Sequence, residues 1–284
     1  MSMSQREKAE KFYSMHTQDG CFLMPNAWDI GSAKMLVAAG FESIGTTSAG
    51  VAFSMGRPDN VFCSEDARLT RDEMIAAVRS MANSVTVPIN ADLEAGFGRQ
   101  PEIVSQTIKM AIDAGAVGGN IEDNTGDPSN PLYDLELSVD RIRAARNAID
   151  DSKIPFVLIG RTDEMIAGHS ANLAQAINRA NLYREAGADC LFIPGVSDKE
   201  SVAILVKEID GPINVVMGLS GSEVSFHELE NLGVRRVSVG GSLARSVYYK
   251  IREAAEEMFN HGTFSYADKQ IPQNELNELF EREY

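Results

Sequence analysis

Two patterns of apolar and polar positions alternate along the chain. In the first, a stretch with helical spacing ends in Gly and a short apolar run follows, as at residues 37–48 and 231–241. In the second, a Pro opens the apolar run, as at residues 86–92 and 211–218. Gly accepts the left-handed backbone that ends a helix, and Pro is tolerated at the first residue of a strand. Both patterns therefore predict short strands separated by helices.

Together with the apolar run at residues 21–27, these patterns predict eight strands, beginning near residues 22, 43, 87, 118, 155, 190, 213 and 236. The runs are mostly apolar rather than alternating, as in parallel strands covered on both faces. Amphipathic stretches lie between them, for example at residues 64–85 and 172–187. Eight βα units in about 240 residues predict an α/β fold, a (β/α)8 TIM barrel. A doubly wound sheet is the alternative, but it usually has fewer strands, and the chain lacks a G-x-G-x-x-G motif.

The chain continues beyond the eighth helix. We assign residues 1–259 to a catalytic barrel domain and residues 260–284 to a C-terminal linker and helix. The last amphipathic stretch, at 273–283, is too short to be a stable helix alone. We expect it to dock on its own barrel or on a neighbour's.

The composition narrows the possible partners. The 284 residues carry a net charge of −15, which argues against binding to nucleic acid or to anionic membranes. The first residues contain no apolar signal segment, and no apolar run reaches the length of a membrane span, so we expect a cytoplasmic protein. The three cysteines are far apart and predict reduced thiols. We expect the cysteines and the four histidines to be surface residues, since no histidine follows a strand.

Acidic side chains follow two neighbouring predicted strands. Asp92 and Glu94 end the third strand, and Glu122 ends the fourth. A spacing of two residues places Asp92 and Glu94 on one face of a strand. Three carboxylates near one point repel one another unless a cation lies between them, and an all-oxygen set favours Mg²⁺, with Mn²⁺ as an alternative. If these acids were instead solvated loop residues, no metal site would form.

Arg161 ends the fifth strand, where its planar guanidinium suits a substrate carboxylate. An ion pair with Asp163 or Glu122 is the alternative, and the two interpretations are compatible.

The small residues after the second strand are candidates for contacts with the substrate. Thr47, Ser48, Ala49 and Gly50 offer hydroxyl and backbone N–H groups that could bind an oxyanion, although they could equally be packing residues beside a turn. Asp59, which follows a Pro, is a candidate acid or base. We therefore take Asp59, Ser48 and Arg161 as candidate catalytic residues.

These residues lie in segments that resemble the isocitrate lyase/phosphoenolpyruvate mutase superfamily over nearly the whole chain. NADLEAGFG at 90–98 is similar to the family's D-x-D-x-G-[FY]-G segment. IED at 121–123 and GRTDE at 160–164 resemble the motifs of the next two strands. The S-x-G and G-x-P-D elements within residues 48–59 resemble its substrate loop.

The resemblance implies a barrel that holds Mg²⁺, partly through water, at Asp92, Glu94 and Glu122 and that works through an enolate. It assigns Ser48 and the following amides to the oxyanion or carboxylate, and Arg161 to the carboxylate. Members of the family exchange their last helices between barrels. The resemblance therefore implies a homo-oligomer, either a dimer or a tetramer.

One loop departs from the lyases of this superfamily that act on tricarboxylates. Those enzymes carry K-K/R-C-G-H after the fourth strand, with the Cys as acid or base. Residues 124–134 contain no Cys, His or Lys, so the general acid or base is not evident and a smaller substrate is expected. The mutases of the superfamily use an Asp near position 59, which is present, but a Lys in this loop, which is not.

Three functions follow from these residues. The first is a Mg²⁺-dependent lyase that cleaves a C–C bond of a small 2-oxo or 2-hydroxy carboxylate. The second is P–C bond chemistry by a phosphoenolpyruvate or carboxyphosphonate mutase or a phosphonopyruvate hydrolase. The third is a catalytically silent barrel that only binds a ligand.

Overall fold

The computed structural model describes residues 3–59, 68–167, 171–221 and 224–282. Its nine parallel strands are β1 (Phe22–Met24), β2 (Asn26–Ala27), β3 (Ile44–Thr46), β4 (Ile89–Asp92), β5 (Gly118–Glu122), β6 (Val157–Arg161), β7 (Cys190–Phe192), β8 (Ile213–Val216) and β9 (Arg236–Ser238). Pro25 separates β1 from β2, which are the two halves of the predicted first strand. Since β1 pairs with β9 and β2 pairs with β3, the ring closes, and the predicted eight-unit barrel is confirmed.

Helices lie between the strands and at both ends of the chain. They are α1 (Gln5–Thr17), α2 (Ile30–Ala38), α3 (Ser48–Ser54), α4 (Arg71–Ala82), α5 (Pro101–Asp113), α6 (Leu135–Ser152), α7 (Leu173–Glu185), α8 (Lys199–Glu208), α9 (Phe226–Leu232), α10 (Ser242–His261) and α11 (Gln273–Glu281), with a 3₁₀ turn at Ser265–Lys269. The helix predicted within residues 64–85 begins at Arg71, where Thr70 forms a capping box with Glu73. In the described part of the chain, no helix combines the length and apolarity that crossing a membrane requires.

Helix α1, which the sequence analysis does not predict, closes the amino-terminal end of the barrel. Its Phe12 is fully buried in a cluster with Met24, Val157 and Cys190. The expectation that cysteines and histidines lie at the surface is therefore wrong for Cys190 and for His16, which are both buried. The Nδ1 atom of His16 lies 2.8 Å from the carbonyl oxygen of Phe12. Cys63 and His169 lie outside the described residues.

The last helix rests on its own chain in this structure. The Nζ group of Lys34 in α2 donates to the carbonyl oxygen of Phe280 in α11 at 2.9 Å. Exchange of this helix between barrels is not shown, and the homo-oligomer remains a prediction. Helix α10 nevertheless leaves apolar side chains such as Ile251 and Phe259 exposed, and Phe259 is 92% exposed. A surface of this kind is typical of an interaction face.

Candidate active site

A cavity of about 280 Å³ lies inside the barrel and opens at the carboxyl ends of the strands. TIM-barrel interiors are normally filled by branched apolar side chains. Here four asparagines line the cavity, on β2, β4, β5 and β8: Asn26, Asn90, Asn120 and Asn214. Seven charged residues also line it: Asp59, Asp92, Glu122, Asp163, Arg161, Arg236 and Arg245. The interior is therefore built to hold a polar ligand.

Asp92, the last residue of β4, is held by groups from two neighbouring strands. Its Oδ2 atom accepts the backbone N–H and the hydroxyl of Ser48, both at 2.9 Å. Its Oδ1 atom accepts the Nδ2 group of Asn120 at 2.8 Å, and its backbone N–H donates to the hydroxyl of Thr46 at 2.8 Å. These bonds fix the direction in which the carboxylate faces the cavity.

Glu94 differs from the expectation that it shares a strand face with Asp92. Strand β4 ends at Asp92, and Glu94 adopts a left-handed backbone with φ of 48°. Its side chain is buried and lines an adjacent cleft together with Arg68 and Asn124. Burial, followed by the negative charges of Asp92 and Asp59, raises the pKa of Glu94 to about 8. The two acids are thus electrostatic neighbours although they do not alternate along one strand.

Glu122 and Arg161 form an ion pair in the wall of the cavity. The Nη1 group of Arg161 lies 2.8 Å from Oε2 of Glu122. Its Nε and Nη2 groups donate to the two carboxylate oxygens of Asp163 at 2.6 and 3.0 Å. Burial raises the pKa of Glu122 well above its usual range, although Arg161 opposes that shift. The ion-pair alternative for Arg161 is therefore realised, and binding of substrate by Arg161 remains a prediction.

Residues behind this pair were not predicted. Asp123 accepts the backbone N–H of Asp163 at 2.8 Å and the hydroxyl of Tyr183 at 2.6 Å. The guanidinium of Arg179 also contacts Asp123, at 3.2 Å. This buried network fixes Asp163 and, through it, the guanidinium of Arg161. Tyr183 and Arg179 lie on α7, far away in the sequence, so no local signal identifies them as partners.

The predicted oxyanion segment forms the start of α3. Thr47 is the N-cap, and its hydroxyl accepts the N–H of Gly50 at 3.4 Å. The N–H of Ser48 is donated to Asp92, so two of the predicted amide donors have acceptors within the chain. A Cβ atom on Gly50 would lie only 2.8 Å from Cβ of Trp28, which explains the glycine. Thr47, Ser48 and Ala49 line the cavity, and their contact with substrate remains a prediction.

The acids of this region are not preassembled as a metal site. Within the residues that the structure describes, no three carboxylate, thiol or imidazole groups are arranged as a ligand set for a metal ion. Their chemistry nevertheless fits a hard divalent cation. Asp92, Glu94 and Glu122 offer only oxygen atoms, and the raised pKa values of Glu94 and Glu122 reflect buried negative charge that a cation would offset. Assignment of these three acids to a metal remains a prediction.

Comparison with known proteins places this geometry in a family. The sequence profile of the phosphoenolpyruvate phosphomutase family matches residues 12–259. A candidate lyase/mutase of known structure from Burkholderia cenocepacia J2315 is 42% identical, with 98% of each chain covered and a TM-score of 0.93. The chloroplastic carboxyvinyl-carboxyphosphonate phosphorylmutase of Arabidopsis thaliana is 33% identical over 78% of this chain and 66% of its own length. An oxaloacetate decarboxylase of Bradyrhizobium sp. is 28% identical over 84% and 79%.

The match to the family profile spans most of the barrel, including every strand and each predicted site residue. These relatives comprise a decarboxylase and a phosphorylmutase. The alternative of a catalytically silent barrel is therefore not supported. The chain belongs to the isocitrate lyase/phosphoenolpyruvate mutase superfamily and is an enzyme of the lyase and mutase class.

Proposed function

We propose that this enzyme is a Mg²⁺-dependent lyase that cleaves a C–C bond of a small 2-oxo or 2-hydroxy carboxylate through an enolate, with Mn²⁺ as an alternative metal. The observation that supports this most directly is the meeting of buried acids with a small polar cavity at the carboxyl ends of β4 and β5. The cavity volume of about 280 Å³ is just below the range of roughly 300–1,000 Å³ that is typical of pockets for drug-sized ligands. This suits a small substrate.

In this proposal Asp92, Glu94 and Glu122 hold the cation, which would supply positive charge beside the 2-oxo acid. Ser48 keeps the Asp92 carboxylate turned into the cavity through its two hydrogen bonds. Arg161 sits beside Glu122 and is oriented by Asp163, and we assign to it contact with the carboxylate of the substrate at this end of the cavity.

The available proton donors favour loss of CO₂ from an oxaloacetate-like acid. Carbon dioxide leaves without being protonated, so the bond-breaking step needs no strong acid on the loop at residues 124–134. That loop contains no Cys, His or Lys. Asp59 lines the cavity, and we assign to it the transfer of a proton to the enolate carbon after cleavage.

A screen of purified enzyme tests this function. We expect turnover of one or more 2-oxo or 2-hydroxy acids that is abolished by a chelator and restored by Mg²⁺ or Mn²⁺. Pyruvate or another 2-oxo product would be followed with a coupled dehydrogenase. Turnover that persists after complete chelation would contradict the proposal. Asp92→Asn should lose activity, whereas Asp140→Asn, a surface substitution on α6, should not.

P–C bond chemistry is the second candidate, because Asp59 lines the cavity and the Arabidopsis relative is a phosphorylmutase. Phosphonopyruvate is the discriminating substrate. Conversion of phosphonopyruvate by the wild-type enzyme, lost in Asp59→Ala, would favour mutase or hydrolase activity. Conversion of 2-oxo acids alone would favour the lyase.

We also propose that the enzyme is cytoplasmic and forms a dimer or tetramer. The exposed apolar side chains of α10, including Ile251 and Phe259, support an assembly that covers them. Light scattering on the purified chain tests this directly. A monomer at micromolar concentration would contradict the proposal, and Phe259→Glu should reduce the mass of an oligomer.

A further inference from the structure

A buried arginine in the barrel interior has no carboxylate partner among the residues that the structure describes. Arg236 in β9 is 2% exposed and lines the cavity. Its Nε group donates to Oδ1 of Asn214 at 2.9 Å, and its Nη1 group lies 3.4 Å from Nε2 of His16. Burial lowers the pKa of His16 to about 3, so the imidazole is neutral near pH 7. The partners of Arg236 are therefore neutral.

Arg161, which also lines the cavity, is by contrast paired with acids. All three of its nitrogens contact carboxylate oxygens, supplied by Glu122 and Asp163. The Nη2 group of Arg236 makes no hydrogen bond with a described residue. Three arginines thus line the cavity: Arg161, Arg236 and Arg245. Arg236 and Arg245 have no carboxylate partner among the described residues, and of these two only Arg236 is buried, whereas Arg245 is exposed and donates to the carbonyl oxygen of Leu219.

Burying an unpaired guanidinium is strongly unfavourable, so such a group is stable only where the surroundings or a ligand compensate its charge. The neighbours of Arg236 orient it without neutralising it. Asn214 accepts from Arg236 and donates through Nδ2 to the hydroxyl of Ser238 at 2.9 Å. This arrangement holds the guanidinium fork in place and leaves its charge for a ligand.

A second polar group in the same cavity lacks a partner. Asn90 is 3% exposed, lines the cavity, and its buried Oδ1 atom has no hydrogen-bond partner among the described residues. Buried polar atoms without partners are rare in folded proteins and usually have a reason. Together with Arg236, Asn90 makes the cavity floor more polar than packing alone requires.

We propose that Arg236 binds the second carboxylate of the substrate and so sets the preference of the enzyme for a short dicarboxylate over a monocarboxylate of the same length. The assignment rests on the proposed function for the reacting end of the substrate, which lies at the acids on β4 and β5. The planar fork of arginine binds a carboxylate in a bidentate manner. The volume of about 280 Å³ restricts the occupant to a short chain.

Binding of two matched probes tests the assignment. Malate and 2-hydroxybutyrate share a four-carbon 2-hydroxy acid skeleton and differ in the distal carboxylate. With Mg²⁺ present, calorimetry on the wild-type enzyme should show malate binding about 10- to 100-fold more tightly, as a charge-assisted hydrogen-bonded pair would give. Oxalate, which lacks a distal group, serves as the probe of the reacting end alone.

Arg236→Met should bring the two affinities within about twofold of each other while leaving oxalate binding unchanged. Arg235→Met is the matched control, because Arg235 precedes Arg236, donates to the carbonyl oxygen of Gly20 and does not line the cavity. The control should keep the wild-type preference. If Arg236→Met does not fold, Arg236→Lys provides the test. It should reduce the preference for malate over 2-hydroxybutyrate at least threefold, because lysine lacks the planar guanidinium that binds a carboxylate in a bidentate manner.

Two results would overturn the assignment. One is a wild-type enzyme that binds oxalate with Mg²⁺ but binds malate no better than 2-hydroxybutyrate, which would leave the proposed lyase function intact. The other is an Arg236→Met variant that has a lower melting temperature and binds all three ligands more weakly, which would make Arg236 structural. Loss of the malate preference in Arg236→Met would support the subsite whether or not any acid is turned over. Absence of turnover would count against the lyase function and not against the subsite.

Discussion

Ser48 donates both its backbone N–H and its hydroxyl to the same carboxylate oxygen of Asp92, at 2.9 Å in each case. Ser48 begins α3 and Asp92 ends β4, so the two bonds join elements that are 44 residues apart. A carboxylate held by two donors on one oxygen presents its other lone pairs in a fixed direction. Ser48 therefore positions Asp92, beyond any contact that it makes with substrate.

Replacing Ser48 tests whether it positions Asp92 in addition to any contact that it makes with substrate. Ser48→Ala removes the hydroxyl bond to Asp92 and keeps the backbone bond, so we expect weaker Mg²⁺ binding and about 10- to 100-fold lower kcat. Isothermal titration with Mg²⁺ and steady-state kinetics would measure both. Ser54→Ala is the matched control, because that hydroxyl donates to the carbonyl oxygen of Val51 at the other end of α3. Unchanged Mg²⁺ affinity in Ser48→Ala would contradict the positioning role.

The ion pair between Arg161 and Asp163 should contribute far more to stability than a surface pair. The Asp163 side chain is 1% exposed, whereas Asp140, which pairs with Arg143, is 57% exposed. Asp163→Ala leaves a buried guanidinium with Glu122 alone, and we expect a loss of about 3–5 kcal/mol in the free energy of unfolding.

The comparison with the surface pair supplies the control for that measurement. Asp140→Ala removes an exposed partner and should cost at most about 1 kcal/mol, because solvent screens such pairs. Urea unfolding of both variants gives the two free energies. Equal losses would show that the buried guanidinium of Arg161 relaxes without Asp163.

The raised pKa of Glu94 makes the stability of the metal-free protein depend on pH. The pKa of Glu94 is about 8 in the folded chain and 4.5 in the unfolded chain, so between these values only the folded state holds the proton. The free energy of unfolding should therefore fall by a few kcal/mol as the pH rises from about 4.5 to 8, and it should be insensitive to Glu94 below that window. Urea unfolding at intervals of pH, with a chelator present, would measure this slope.

Glu94→Gln has no such proton to lose. Its stability should decline less steeply than that of the wild type over the same window, with the remaining slope arising from other acids whose pKa is raised by burial, among them Glu122 and Asp123. Parallel curves for the two proteins would show that Glu94 does not carry the pH dependence.

The sequence predicts the barrel well because its signals are local. Each strand is a short apolar run after a Gly or a Pro, and the observed strands begin within two residues of the predicted positions. Pro25 divides the first strand without changing its place in the ring. Helix α1 is missed, although the capping-box pattern of Ser4 and Glu7 and the spacing of Ala9 and Phe12 are local signals of a helix.

The site is less predictable because its side chains meet across the barrel. Chain spacing places Asp92 and Glu122 at neighbouring strand ends, but it cannot show that Glu122 turns onto Arg161. It also places Glu94 on the strand, whereas a left-handed residue after β4 redirects it. One sequence pattern does indicate the polar interior. Asn90 and Asn120 each precede a strand-end acid by two residues, which places both on the same face of an apolar strand as that acid.

Gly118 allows α1 to pack against the closed end of the barrel. A Cβ atom added at Gly118 would lie 2.5 Å from Cε1 of Phe12 and 2.8 Å from Oδ1 of Asn90. Phe12 is fully buried among other apolar side chains, so it cannot move aside cheaply. We expect Gly118→Ala to lower the free energy of unfolding by about 1–3 kcal/mol through overpacking.

Gly221→Ala is the control, because a Cβ atom there meets no other atom within 4 Å and its backbone is not left-handed. Its stability should stay within about 0.5 kcal/mol of the wild type. Phe12→Leu, introduced into the Gly118→Ala background, should cost less than it does in the wild-type background, since the smaller side chain makes room for the new methyl group. Additive effects in this double-mutant cycle, measured by urea unfolding, would mean that Gly118 and Phe12 do not press on one another. A glycine would then be required at position 118 by the close contact with Asn90 in the floor of the cavity, and not by the packing of α1 against the barrel.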